Sequence, residues 1–351
     1  MFRVTTKSAQ TIPTAIARSF YIAAAVIVLT AGALAQSSGA AATSNPNFFV
    51  LDNPGDPNFN QLLGINDAHV IVGYFGDGTV IPNNGYVLVP KNHYAVENFT
   101  NLASGDVASE TQAIGINNHV FPYIVGFYTD NATGFTHGFL DANGTQSAVD
   151  DPAGSAPHVT TPAQNLLGIN DLNQAAGFWT DNDGHEHGFV VDLDIQALSK
   201  SKFIEIPPSI FKGAVATQAS DITNNGNVCG FWTDRNGNNH GFFGPPGPEL
   251  STFPALFALN VEVDGVEATS TSPFGCNEKG EVVGSFTDAS GNVHGFTFNR
   301  GLFVQFDAPG SSQTAAFGVM GTFINGVDAA GDFVGFFSDG TKVDSFVNFA
   351  P

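Results

Sequence analysis

The sequence predicts an all-β fold, a six-bladed β-propeller with four strands in each blade. Three observations predict it: a phrase that recurs six times, four strand-sized segments in each recurrence, and two chain ends that complement one another. The clearest copy, from Leu166 to Val190, reads LLGINDLNQAAGFWTDNDGHEHGFV. Repeats of this length are typical of solenoids and propellers, because one unit cannot bury its apolar face alone. The first apolar anchors of the six copies recur every 51 to 54 residues, at Ile65, Ile116, Ile169, Ile222, Cys276 and Val327.

The chain opens with the features of a targeting segment. Basic residues at Arg3, Lys7 and Arg18 precede an apolar stretch from Phe20 to Ala33. Ala33-Leu34-Ala35 then has the A-x-A pattern of a cleavage site, which predicts a signal peptide. An uncleaved anchor is the alternative, although the apolar stretch is shorter than the roughly 20 residues that a membrane span needs.

These features divide the chain into three parts. Residues 1–35 are the predicted signal peptide, and residues 36–46 are a linker of small residues without periodicity. Residues 47–351 are the predicted propeller. We therefore expect a secreted or periplasmic protein whose mature chain has no stable membrane span, and we expect it to be a monomer.

Each repeat offers four strands in a fixed order. The first ends at the anchor and is closed by a turn rich in Asn, Asp and Gly, such as Asn66-Asp67, because these residues tolerate hairpin geometry. The second is an apolar run such as Val70 to Phe75. The third follows a polar turn and carries His-Gly-Phe, as at His187. The fourth ends in an acidic residue and a proline, as in Val304 to Pro309, which places it at a blade's outer edge.

The two ends of the predicted propeller complement one another, because the first segment is an extra fourth strand and the last repeat lacks its fourth strand. The predicted propeller opens at about residues 48–52 with a segment that matches a fourth strand. It closes at Ser345 to Phe349 with a segment that matches a third strand. Pairing this N-terminal strand with the three C-terminal strands would close the ring and leave no exposed sheet edge, which a linear solenoid does not achieve.

The repeat resembles the extracellular repeats of the HAF family, exported bacterial proteins named for a His-Ala-Phe tripeptide. The resemblance is carried by G-I-N-D-x-G-x-V-V-G, then D-x-x-G-x-x-H-G-F, then F-x-x-x-D-x-P. Here the tripeptide is His-Gly-Phe in the four middle copies, at His137, His187, His240 and His294. The histidine of the tripeptide is replaced by Asn84 in the first copy and by Asp344 in the last. The resemblance covers residues 48–349 and implies export and a propeller-like fold, with no established activity.

Charge limits the classes of partner. The formal net charge is −21, and removing residues 1–35, which hold three basic and no acidic residues, leaves −24. Such a surface repels nucleic acids and anionic membranes. Two cysteines remain, Cys229 and Cys276, either as one disulfide or as two buried thiols that replace apolar residues of sister copies.

A candidate ligand site lies where the innermost strands begin. The residue four before the anchor is polar in five copies, and amides at this channel rim would offer hydrogen bonds to sugar hydroxyls. The alternative is that these side chains cap neighbouring loops. The predicted rim residues are Gln61, Gln112, Asn165, Gln218 and Ser272. The long connections before the innermost strands share this face, which makes it the expected binding surface.

A weaker candidate is a metal site in the third repeat. Asp181, Asp183, His185 and His187 place carboxylates and imidazoles within seven residues, and the i, i+2 carboxylates resemble the opening of a calcium loop. The alternative is a solvated turn without a metal. For the His-Gly-Phe histidines as a group, we expect a structural role, bonded to an Asp or Thr of their own blade.

No linear catalytic motif is present in the sequence: it has no G-x-S-x-G, H-E-x-x-H, phosphate loop or C-x-x-C. The leading hypothesis is therefore an exported, non-enzymatic module that binds a glycan, a cell-envelope component or a protein. We expect no cofactor, with calcium as the one alternative. The alternative is a secreted hydrolase or lyase with its site in the central channel.

Overall fold

A computed structural model describes residues 47–89, 107–156, 159–160, 162–245, 256–263 and 265–350. The predicted signal peptide and linker lie outside these residues. The regular structure of the described residues is β-strand, apart from two short 3₁₀ turns at Leu198–Lys200 and Pro208–Ile210. No described helix is long and apolar enough to cross a membrane.

The described strands form six blades and one small hairpin. The first strand and blades 1 and 2 are β1 (Phe48–Val50), β2 (Asn60–Ile65), β3 (Ile71–Phe75), β4 (Asn84–Leu88), β5 (Ala108–Ile116), β6 (Ile124–Asp130), β7 (Thr136–Ala142) and β8 (Thr145–Ala148). Blades 3 and 4 are β9 (Gln164–Ile169), β10 (Gln174–Thr180), β11 (Glu186–Asp192), β12 (Lys202–Glu205), β13 (Ala214–Ile222), β14 (Val228–Asp234), β15 (Asn239–Gly244) and β16 (Phe257–Leu259). The hairpin and blades 5 and 6 are β17 (Glu262–Val263), β18 (Val266–Glu267), β19 (Ser270–Cys276), β20 (Val282–Thr287), β21 (Val293–Asn299), β22 (Leu302–Phe306), β23 (Thr322–Val327), β24 (Phe333–Ser338) and β25 (Val343–Asn348).

Sheet order confirms the six-bladed propeller of four-stranded blades. Within a blade, consecutive strands pair antiparallel, so the strand that ends at the anchor and the fourth strand are the two edges. Blade 6 has the order β1-β25-β24-β23, and β1 pairs through Phe48 with Asn348 and through Val50 with Phe346. The predicted ring closure is therefore correct. Blade 1 shows three strands among the described residues. The β17–β18 hairpin was not predicted.

A bulge precedes the anchor in most innermost strands and sets how closely blades approach. In β2 the register shifts between Leu62 and Gly64. A side chain at Gly64 would place its Cβ 2.4 Å from the main-chain oxygen of Ile114 in blade 2, so only glycine fits there. The same close approach occurs at Gly115, Gly168, Gly275 and Gly326. Blade 4 departs from this rule, because Asp221 occupies the equivalent position.

The core is divided into clusters between neighbouring blades. One cluster joins Val72 and Val87 of blade 1 to Ala113 and Phe139 of blade 2, all of them buried. Burial on both faces of each sheet explains why the second strands are near-continuous apolar runs rather than alternating ones. This packing makes a rigid ring around a central channel.

Candidate functional site

The turns that follow the anchors lie at one end of the channel, here called the turn face. Their first residues form a ring of side-chain hydrogen bonds between blades. Asn66 donates its side-chain amide to the main-chain oxygen of Asn117 at 2.9 Å, and Asn117 donates in turn to that of Asn170 at 3.2 Å. Asn170 bonds to Thr223 O and Asn277 to Asp328 O in the same way. The Asn of the repeat thus links four of the six blades to the next.

The ring is interrupted where Thr223 and Asp328 replace asparagine, because neither has an amide to donate. At the seam between blades 6 and 1, His69 supplies a contact instead. Its Nε2 lies 2.8 Å from Asp332 Oδ2 and 3.6 Å from Asp328 Oδ2. Burial is the main cause that raises the pKa of Asp328.

A second ring is formed by the next residue of each turn. The main-chain N–H of Asp67 donates to Asn118 Oδ1, that of Asn118 to Asp171 Oδ1, and that of Asp171 to Asn224 Oδ1, at 2.7 to 2.8 Å. Asn224 N–H continues to Glu278 Oε1, and Ala329 N–H donates to Asp67 Oδ1 at 2.9 Å. The ring is open between blades 5 and 6, because Ala329 has no side-chain acceptor. These side chains stand at the channel mouth and are more exposed than the first ring.

The turn face surrounds a cavity of about 170 Å³. It is lined by the anchors and the two residues after each anchor in all six blades, together with Asp221. The lining thus combines an apolar floor with a collar of amides and carboxylates. Such a mixture of donors and acceptors suits a polyhydroxylated or cationic ligand.

Three carboxylates of this collar accept hydrogen bonds at both oxygens. Asp171 accepts hydrogen bonds at both oxygens, from Asn118 N–H and from the Asn224 amide. Glu278 accepts from the main chain of blade 4 at both oxygens. Asp221 accepts from Ile222 N–H at 2.8 Å and from Cys276 N–H at 3.0 Å. Burial raises the pKa of Asp221 to about 7, and the two main-chain donors only partly offset it.

Apolar side chains project from two of the same turns. Phe121, in the turn of blade 2, is 72% exposed, and its neighbour Val120 and Leu172 of blade 3 are also exposed. Phe121 lies outside the cavity lining but in the same turn as Asn117 and Asn118. An exposed aromatic ring near polar side chains is suited to ligands that have one apolar and one polar side. Sequence reasoning missed these residues, because the turns were assigned only to hairpin geometry.

The predicted rim residues lie at the other end of the innermost strands and are buried. None of them lines the cavity of the turn face. Gln112 donates to Asn83 Oδ1 at 2.7 Å, and Ser272 Oγ accepts from Asn239 at 2.9 Å, so these two bond to the preceding blade. Gln218 has no hydrogen-bond partner at either polar side-chain atom, although it is only 1% exposed. Gln61 and Asn165 are likewise buried. A ligand at this ring stays a prediction.

The His-Gly-Phe histidines have the structural role that the repeat predicts. His187 stacks on Trp179 with ring centroids 4.1 Å apart, and its two nitrogens contact Glu205 at 2.8 Å and Asp181 at 3.1 Å. The hydrogen bond that Glu205 accepts from His187 is the largest cause that raises the pKa of His187. His187 therefore ties the polar turn of blade 3 to the end of the fourth strand.

Each histidine of the sister blades makes at least one of these two acidic contacts. His137 contacts Asp150, and His240 stacks on Trp232 and lies 3.5 Å from Asp234. His294 lies between Asp307 and Asp288. Burial lowers the pKa of His294, but Asp307 and Asp288 raise it by more, so that it ends above its usual value. The acidic residue of the fourth strand thus serves its own blade, which its position alone did not reveal.

The predicted metal residues are partly brought together. Asp181, Asp183 and His185 can each place one ligand atom within 4.8 Å of the others, whereas His187 is not in this group. Asp181 Oδ1 accepts from the N–H groups of Asp183 and His185. Asp234 and Asp288 cap their own turns in the same way. The turn geometry is therefore common to the blades, which favours the alternative of a turn without a metal over a calcium site at Asp181.

Comparisons with known proteins support the architecture. No family model and no curated protein matches the chain. Among solved structures, a mutant of Aleuria aurantia lectin in complex with Fucα1-6GlcNAc is 9% identical and has a TM-score of 0.50, covering 82% of this chain and 91% of that chain. Trypanosoma rangeli sialidase is 9% identical with a TM-score of 0.44, covering 83% of this chain and 54% of that chain. At 9% identity, the similarity to the lectin shows the fold alone.

Proposed function

We propose that this chain is an exported, non-enzymatic module of the HAF type that binds a glycan at the turn face of its propeller. The observation that carries the proposal is the collar of amides and carboxylates around the cavity of about 170 Å³. Every blade contributes to this collar, and the turns are fixed by the bonds between blades. A preorganised polar surface of this kind loses little freedom when it binds a ligand.

The chemistry of the collar favours sugar hydroxyls. Asn118 and Asn224 each accept one main-chain hydrogen bond at Oδ1. The Nδ2 group of Asn118 has no partner among the bonds of the ring and can donate to a ligand. Exposed Phe121 offers an apolar surface for the C–H face of a sugar ring. The Aleuria aurantia lectin structures contain fucose ligands, which illustrates that a propeller with six blades can hold a sugar.

The alternative of a channel hydrolase has one observation in its favour. Asp221, with a pKa of about 7, is suited to general acid catalysis, and it lines the cavity. Both of its oxygens, however, accept main-chain hydrogen bonds, and Glu278 is held in the same way. Two carboxyl groups committed to the scaffold are poor candidates for an acid and base pair, so binding is the better supported function.

The proposal is tested by screening residues 36–351 on a glycan array, followed by titration calorimetry with the best oligosaccharide. Methyl α-L-fucoside serves as the first small probe. Binding should weaken in Phe121→Ala and Asn118→Ala and persist in Phe257→Ala, which removes an exposed ring from the outer strand β16. Binding that is unchanged by both turn-face variants would refute this site. Turnover of an oligosaccharide that is lost in Asp221→Asn would favour the hydrolase.

A further inference from the structure

Three departures from the repeat meet at one point of the ring. The residue before the anchor is glycine in five blades and Asp221 in blade 4. The residue opposite it on the second strand is Cys229, where sister blades have Val72, Val125, Ala176, Val283 and Val334. The anchor of blade 5 is Cys276, where the other blades have Ile or Val. Three independent replacements that converge in space indicate a shared purpose.

The geometry brings one atom of each residue together. Asp221 and Cys229 are directly paired across β13 and β14. Cys276 comes from β19 of the next blade, and its main-chain N–H donates to Asp221 Oδ2 at 3.0 Å. One carboxylate oxygen and the two sulfur atoms all lie within 4.8 Å of one another. This spacing is compatible with three ligands around one ion, for which metal–sulfur bonds are about 2.3 Å long.

The surroundings favour the neutral forms of the three groups when no ligand is bound. Cys229 is 0% exposed and Cys276 is 6% exposed, and both are free thiols. Burial raises the pKa of both thiols and of Asp221, so the protein environment alone disfavours their charged forms. A divalent cation would reverse this preference, because its charge stabilises the thiolates and the carboxylate.

The cluster is accessible from the channel. Asp221 and Cys276 line the cavity of the turn face, whereas Cys229 lies behind them in the core between blades 4 and 5. An ion could therefore enter from the channel mouth and keep one coordination position open to water. Three protein ligands and one open position are the arrangement of exchangeable zinc sites.

We propose that Asp221, Cys229 and Cys276 bind one thiophilic divalent cation, such as Zn²⁺, at the junction of blades 4 and 5. On binding, both thiol protons leave to solvent, together with the proton of Asp221 where it is present, and no oxidation or reduction takes place. The ion would join two blades at the place where Thr223 leaves the amide ring without a bond to blade 5. Soft thiolate ligands distinguish this site from a calcium site.

The test uses residues 36–351, reduced and stripped of metal. Titration with Cd²⁺ should give a cadmium–thiolate charge-transfer absorption that saturates at one equivalent, and Zn²⁺ should displace it. Cys229→Val and Cys276→Val, which restore residues found in sister blades, should weaken Zn²⁺ binding by at least about 100-fold. Both variants should fold, because the substitutions suit an apolar core.

Two further variants sharpen the result. Asp221→Asn should weaken Zn²⁺ binding by about 10-fold or more while keeping the cadmium–thiolate band. Asp192→Asn, at the exposed end of β11 in blade 3, should leave both the Zn²⁺ affinity and the cadmium–thiolate band unchanged. The proposal is overturned if no charge-transfer band forms, or if Cys229→Val binds Zn²⁺ as tightly as the wild type. It is also overturned if the exported protein has no free thiol by mass and thiol titration, since a Cys229–Cys276 disulfide would then occupy the site.

Discussion

The main-chain N–H of Ser345 donates to Asp52 Oδ1 at 2.9 Å, although 293 residues separate them. The Ser345 hydroxyl also donates to the main-chain oxygen of Leu51 at 2.5 Å. Together with the pairing of β1 and β25, these bonds close the ring of blades. The stability of the whole propeller should therefore depend on a short N-terminal strand.

Phe48→Ala should lower the free energy of unfolding by about 2 kcal/mol, because it removes a half-buried ring. The centroid of this ring lies 5.2 Å from that of Phe346 and 6.3 Å from that of Phe337. Urea unfolding followed by fluorescence measures this loss. Val50→Ala, an exposed position on the same strand, is the control and should cost less than about 0.5 kcal/mol. Equal losses in the two variants would mean that the Phe48 ring does not hold the closure.

Asn117→Ala should lower the free energy of unfolding by about 2 kcal/mol, which is a large effect for a turn residue. The variant removes the bond to the Asn170 oxygen in blade 3, and it also leaves Tyr123 N–H without its acceptor at 2.7 Å. Asn131→Ala, at an exposed turn position, is the matched control and should change little. If thermal unfolding gives both variants the wild-type melting temperature, the bonds between blades are dispensable.

Stability should fall as the pH rises from about 6 to 8. The pKa of His187 is raised by Glu205 and Asp181, so its contribution is complete below its unfolded pKa of about 6.5 and is lost as the pH passes its folded value. Burial raises the pKa of Glu186 to about 7, which acts in the same direction. Urea unfolding at about pH 6 and about pH 8 should show a smaller decrease in the free energy of unfolding for His187→Gln than for the wild type. An equal decrease would mean that His187 does not contribute to it.

Calcium should not distinguish the turn of blade 3 from its sisters. Asp181→Ala and Asp234→Ala each remove a side chain that accepts two main-chain N–H groups, and each should cost about 1 kcal/mol. The melting temperatures of both variants and of the wild type should be the same with and without added calcium. A calcium-dependent rise that is lost only in Asp181→Ala would instead establish a metal site there.

The repeat made the fold predictable, but several contacts depend on neighbouring blades. The spacing of the anchors and the complementary ends were enough to predict six blades and their closure. The bond from Asn66 to Asn117 was not predictable, because an asparagine after a strand is already explained by its own hairpin. The amide ring was therefore expected at Gln61 and its sisters, whereas the described cavity is surrounded by the turn residues. Asp221 is visible in the sequence as a departure from glycine, but only the fold places it beside both cysteines.

The most direct test of the account is the binding of glycan-array ligands to residues 36–351, compared between the wild type and Phe121→Ala. The account predicts a saturable oligosaccharide ligand in titration calorimetry, with an affinity that falls by about 10-fold or more when the exposed Phe121 ring is removed. Phe257→Ala should bind as the wild type does. A ligand that binds Phe121→Ala and the wild type equally well, or the absence of any glycan ligand, would contradict a glycan site at the turn face.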